Sequence, residues 1–136
     1  MFETFDHTAD LGLRIEAPSF ERLLADAGRG LFSMLVANLD DVRPVETREI
    51  HVAGDQPDYL LFDWLSELLY TFESERLLFV HFEVRVTPDG LDATVKGERW
   101  DEQRHQGEHE VKAITYHGLK VEQRDGAWHG EVIVDI

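Results

Sequence analysis

The stretch Leu78-Phe79-Val80-His81-Phe82-Glu83-Val84-Arg85-Val86-Thr87-Pro88-Asp89-Gly90-Leu91-Asp92-Ala93-Thr94-Val95 decides the fold. Its apolar residues recur at every second position: Leu78, Val80, Phe82, Val84 and Val86 before the break, Leu91, Ala93 and Val95 after it. A period of two belongs to a strand with one buried face. Pro88-Asp89-Gly90 combines a fixed φ, a side chain that bonds its own backbone and a residue free to take positive φ, so the chain turns and returns as a hairpin.

Upstream the period is that of a helix. Phe20, Leu23, Leu24, Ala27, Leu31, Met34 and Leu35 form one apolar face after Pro18-Ser19, with Ser19 as N-cap and Glu21 near the positive end of the dipole. Gly28 and Gly30 each weaken this helix by about 1 kcal/mol relative to Ala, so packing must hold its last turns. Asn38 to Pro44 reads as the exit loop. A second helix is predicted from about Pro57 to Phe72, its stripe formed by Leu60, Leu61, Trp64, Leu65, Leu68, Leu69 and Phe72, with Asp63, Glu67 and Glu73 on a solvated side. Short extended segments are predicted at residues 2 to 5, at 11 to 16 and from Thr47 to Ala53. Asp101 to His109 reads as a polar, mobile loop, followed by extended chain from Glu110 to Val121. In the last strand Trp128, Val132, Val134 and Ile136 share the core face, leaving His129, Glu131 and Asp135 on the other. This order predicts an α+β fold. A single two-layer domain over residues 1–136 would pack two helices on one face of a mixed, largely antiparallel sheet.

A chain of 136 residues is large enough to bury a core without staples. The absence of cysteine excludes disulfides, thiolate metal sites and cysteine nucleophiles, and suits a reducing cytoplasm. Met1-Phe2-Glu3-Thr4 lack the basic n-region and apolar run of a signal peptide, and no apolar run approaches the roughly 18 residues of a membrane span, so a cytoplasmic protein is expected. Thirteen Lys and Arg against 28 Asp and Glu give a formal charge of -15. That sign repels phosphate backbones and anionic lipids, so no direct nucleic-acid or membrane binding is expected; it favours cations and basic protein partners.

The chemistry-bearing residues concentrate at the two ends. Phe5-Asp6-His7-Thr8-Ala9-Asp10-Leu11-Gly12 packs two carboxylates, an imidazole and a hydroxyl together, and Glu131-Val132-Ile133-Val134-Asp135-Ile136 closes on an aspartate. If the first and last strands are neighbours, Asp10 and Asp135 meet. Such a cluster is solvated, bonded to turn backbone, or holding a cation. Oxygen-only ligands would select Ca²⁺, Mg²⁺ or Mn²⁺ over zinc. Lys112, between Val111 and Ala113 in a strand expected to be central, either pairs with Asp10 or Asp135 or extends its ammonium to solvent. The histidines are scattered, and there is no phosphate-cradling loop, zinc helix, nucleophile elbow or EF-hand loop.

Four blocks together resemble one family: residues 5–12 as quoted, Asp63-Trp64-Leu65-Ser66-Glu67-Leu68-Leu69, Glu110-Val111-Lys112-Ala113-Ile114-Thr115-Tyr116-His117, and Val132-Ile133-Val134-Asp135-Ile136. The pattern is similar to that of archease, the activator of RtcB-type RNA ligases. The resemblance implies a protein cofactor rather than an enzyme, one that promotes ligase guanylylation and multiple turnover in tRNA splicing and RNA repair. It implies a metal site on Asp10, Asp135 and the main-chain oxygen of Ile136, with Ca²⁺ as the usual ion and Asp6, His7 and Lys112 as functional neighbours. Two alternatives stand beside it: a metal-dependent phosphoesterase using Asp6, His7, Asp10 and Asp135, and a chaperone-like adaptor.

Overall fold

The computed structural model describes residues 1–7 and 10–136, His7 through its main chain only. The elements in order are β1 (Phe2–His7), β2 (Asp10–Ala17), α1 (Phe20–Leu35), β3 (Glu46–Ala53), α2 (Pro57–Glu75), β4 (Leu77–Thr87), β5 (Gly90–Arg99), β6 (Ala113–Ile114), β7 (Lys120–Arg124) and β8 (Ala127–Asp135). The α+β class holds. In place of one mixed sheet, the strands divide between two sheets in which every pairing among the described residues is antiparallel. One sheet runs β1-β2-β8, with β6 and β7 both paired along the far edge of β8; the other runs β3-β5-β4.

Helix α1 begins as its sequence indicates: Ser19 Oγ accepts the Arg22 N–H at 3.1 Å. It lies between the sheets. Phe20 stacks on Trp128 of β8 at 5.0 Å between centroids, while Phe32 meets Phe79 and Phe82 of β4 edge-on and tilted at 5.7 and 6.1 Å. The two glycines that weaken the helix permit this placement, since a Cβ at Gly28 would press on Phe82 and one at Gly30 on Leu13. Trp64 of α2 is fully buried, and its indole N–H donates to Leu24 O of α1 at 2.8 Å, which satisfies the only polar atom it takes into the core.

Two local departures have physical causes. The alternation of β4 is broken by a register shift between Phe79 and His81, so Leu77, Leu78 and Phe79 are all fully buried whereas Val86 is 37% exposed. Helix α2 runs three residues beyond Phe72 because Arg76, with φ 59°, supplies a left-handed cap whose N–H reaches Phe72 O at 2.7 Å. The chain from Glu110 to Val121, expected to be continuously extended, contributes only the two residues of β6 and the start of β7 to the sheet.

Candidate functional site

β2 and β8 are neighbours, and their register sets Asp10 directly opposite Asp135. On its other edge β8 pairs Asp135 with Ala113, and the Lys112 N–H donates to Asp135 O at 2.8 Å. β1 adds His7 opposite Asp10. The sheet thus gathers the end of β1, the start of β2, the end of β8 and the start of β6 at one corner, whereas Met1 lies at the other end of β1, bonded to Glu16. Asp10 and Asp135 are each half-buried. Residues directly opposite in an antiparallel pair have Cβ atoms about 4.5–5.5 Å apart, where two like charges destabilise the pair.

The remaining candidates are placed less uniformly. Asp6 stands opposite Leu11 and is exposed; strand alternation turns it to the face away from Phe5, so it is near Asp10 along the chain but not beside it on the sheet surface. Ile136 directly follows Asp135 and is half-buried against the core. Lys112 precedes β6 at the sheet's edge rather than in a central strand, is exposed, and forms no ion pair among the described residues. Thr8 and Ala9 of the first block lie outside the described residues. Among the described residues no three His, Asp or Glu side chains converge in the manner of a metal cage. His51 lies away from this corner, paired with Asp92 at 2.7 Å on the other sheet. Phe5 accounts for the glycine that ends the first block: its ring lies over Gly12, and the Arg14 guanidinium covers the ring at 4.5 Å while bonding Glu3 and Glu131.

The segment from Asp101 to His109, expected to be mobile, is fastened down by a polar cluster. Glu98 of β5 is buried and accepts from Arg104 Nη1 and Nη2 at 2.8 Å each, from the Arg43 N–H at 2.7 Å and from His105 at 3.0 Å. The imidazole of His105 is itself fully buried, and its Nδ1 accepts the Asp101 N–H at 2.9 Å, so Nε2 carries the proton toward Glu98. Main-chain bonds Ala37 N–Gln106 O, Glu108 N–Leu35 O and His109 N–Met34 O, at 2.7, 3.1 and 2.8 Å, then tie the segment to the end of α1. The bidentate Arg104 contact, followed by the Arg43 and His105 hydrogen bonds, holds the Glu98 carboxyl down from 4.5 to about 2 against the opposing effect of burial.

Because the folded value is the lower one, this stabilisation is complete above pH 4.5 and is lost as pH falls from 4.5 toward 2. Linkage sets it at about 3 kcal/mol at neutral pH. In denaturant titrations, wild type and Glu98→Gln are expected to differ most above pH 4.5 and to converge toward pH 2. A difference that does not change with pH would contradict the assignment.

Two concavities among the described residues lie beside α2. A cleft of about 570 Å³ separates the end of α2 from residues 107–112; Arg76 sits in it over the rings of Phe72 and Trp100 at 4.4 and 5.8 Å, and Lys112 forms its rim toward Asp135. A smaller notch of about 220 Å³ opens between Tyr59 and Tyr116. Neither was legible in the sequence. Arg76 follows a helix with no glycine to mark its end, and Trp100 is brought to Arg76 by the main-chain bond Trp100 N–Arg76 O at 2.8 Å. Among the described residues no helix is long and apolar enough to cross a membrane.

Comparison with known proteins supplies the relatives of this chain. The profile of the Archease protein family (MTH1598/TM1083) matches residues 2–136. The protein archease of Methanopyrus kandleri is 40% identical over 139 residues, covering 99% of both chains. The solution structure of protein 1598 of Methanobacterium thermoautotrophicum superposes with a TM-score of 0.88 at 33% identity, over 99% of this chain and 98% of that one. The crystal structure of a Thermotoga maritima protein, described as an archease and possible chaperone, shares the fold with a TM-score of 0.69 at 22% identity, over 100% of this chain and 98% of that one.

Proposed function

From the premise that this chain belongs to the archease family, we propose that it serves as a protein cofactor of an RtcB-type RNA ligase in tRNA splicing and RNA repair, promoting guanylylation of the ligase and its multiple turnover. The observation that carries the reading is the register that sets Asp10 against Asp135. Two carboxylates brought side by side, with the main-chain oxygen of Ile136 next along the chain, form an oxygen-only donor set that fits a hard divalent cation, Ca²⁺ before Mg²⁺ or Mn²⁺. Ca²⁺ takes 6–8 oxygens, so these residues would hold it with a face left open to water or to a second protein. The bound cation would supply charge neutralisation. Lys112, exposed at the sheet's edge, joins this corner through its main-chain N–H to Asp135 O. A formal charge of -15 supports action on a basic protein over direct contact with tRNA.

The phosphoesterase alternative needs a further carboxylate or histidine beside Asp10 and Asp135 to complete a two-metal site, and strand alternation turns Asp6 to the opposite face of the sheet. The test is a guanylylation and multiple-turnover ligation assay of the ligase from the same organism, with and without this protein. Stimulation is expected with wild type, and Asp135→Ala is expected to return turnover to the level of ligase alone. Full stimulation by Asp135→Ala would sink the proposal, as would phosphate-ester hydrolysis by the protein alone.

A further inference from the structure

All three tyrosines of the chain are exposed on one surface. Tyr59 and Tyr70 project from α2 at 57% and 65% exposure, and Tyr116, beside α2, is 59% exposed. Tyr116 is held rigid. Its ring stacks on Phe62 at 3.9 Å with the planes 11° apart, and meets Tyr59 edge-on at 6.0 Å. Between Tyr59 and Tyr116 lies the notch of about 220 Å³, walled on a third side by Asp58. Asp58 Oδ1 accepts the Val121 N–H at 3.0 Å, which fixes the carboxylate in place. From the notch the solvent face of α2 continues through Asp63, Glu67, Tyr70 and Glu73, all exposed, and α2 contains no lysine, arginine or histidine.

Size and charge select the occupant. Small-molecule sites are typically about 300–1,000 Å³, so this notch suits one long side chain better than a cofactor. A tyrosine ring beside a fixed carboxylate matches a guanidinium, whose plane stacks on the ring while its fork meets the carboxylate oxygens; an ammonium has neither the plane nor the fork. Exposed, pre-ordered tyrosines are the residues that anchor protein interfaces. The acidic strip beyond them repels RNA and attracts a basic protein surface. We propose that this face of α2 is the docking surface for a basic segment of the partner protein, and that the Tyr59–Tyr116 notch receives an arginine side chain from it.

The inference rests on the accessory-protein reading above, and the experiment separates the two. Binding of the RtcB-type ligase from the same organism is measured by calorimetry alongside stimulation of ligation, for wild type, Tyr116→Ala, Tyr116→Phe and Asp58→Asn. Tyr116 is exposed and Asn keeps the acceptor for Val121 N–H, so all variants should fold, with far-UV circular dichroism as the control. Tyr116→Ala and Asp58→Asn are expected to weaken binding at least about tenfold, Tyr116→Phe less than about twofold, and high salt should weaken wild type more than Asp58→Asn. In parallel, N-acetyl-arginine amide should shift the ring resonances of Tyr59 and Tyr116 at concentrations where N-acetyl-lysine amide does not. Stimulation by wild type with binding unchanged in Tyr116→Ala and Asp58→Asn would overturn this docking surface and leave the functional proposal standing. Absence of both binding and stimulation by wild type would overturn both. Capture of a single-stranded RNA by wild type and not by Tyr116→Ala would assign the surface to nucleic acid and overturn it as well.

Discussion

Glu98→Ala is expected to lower unfolding stability by about 3–5 kcal/mol, the range found when one partner is removed from a buried, hydrogen-bonded ion pair. The loss is large because the carboxylate does three jobs at once. It neutralises Arg104, accepts the proton of a histidine that has no solvent to turn to, and takes the Arg43 N–H. Alanine takes this acceptor from the buried His105 and from the Arg43 N–H, and leaves Arg104 with Asp41 O at 3.0 Å as its remaining partner. The damage should spread along the chain, since residues 101–109 are ordered by this cluster and by their main-chain bonds to α1. Hydrogen exchange should therefore show the amides of Glu108 and His109 opening faster in Glu98→Ala even well below the melting transition. Chemical denaturation with a wild-type midpoint, or exchange confined to global unfolding, would show that the cluster is not what holds the segment.

Gly97→Ala is expected to cost about 3 kcal/mol or more, or to prevent folding. Gly97 lies opposite Phe79, where β4 shifts register, and a Cβ there would fall 1.7 Å from Leu78 O and 2.8 Å from Phe79 Cα. Both obstructing atoms are main chain, so no rotamer change relieves the clash; β4 and β5 must separate or lose the bulge. Losing the bulge would turn the buried run Leu77–Phe79 out of phase with the core, because a shift of one residue reverses every side chain that follows. Circular dichroism and urea unfolding of the purified variant would decide this; a melting curve superimposable on wild type would mean that the sheet accommodates the methyl group.

The parts of the fold visible in the sequence were those written in local periodicity. Ser19 begins α1, the stripe through Trp64 faces the core, and the hairpin around Pro88-Asp89-Gly90 turns where its residues require. The bulge left no such mark, since Leu78, Val80 and Phe82 alternate smoothly in the sequence and only pairing with β5 reveals the extra residue. Nor could periodicity allocate strands to two sheets. Each strand carries one apolar face whichever helix or sheet covers it, and α1 serves as that cover for both sheets. At the site, the meeting of Asp10 and Asp135 could be posed as a question because both sit in strands at opposite ends of the chain, and the β2–β8 register supplies the geometry. Glu98 was invisible as a buried charge. Its partners Arg104 and His105 are close in sequence, but polar residues in a run read as solvated surface until a fold encloses them.

β8 is paired along both edges, with β2 on one side and β6 and β7 on the other, and it leaves the ribosome after every one of them. Until it emerges, the strands made first and those made most recently have no common neighbour, so this layer cannot assemble during translation in the stepwise manner of a chain built from local pairs. A nascent polypeptide interrupted before β8 would therefore lack both a completed sheet and the Asp10–Asp135 corner. Such a fragment would present the bare edge of β2 to quality control, a mark that the finished sheet does not carry.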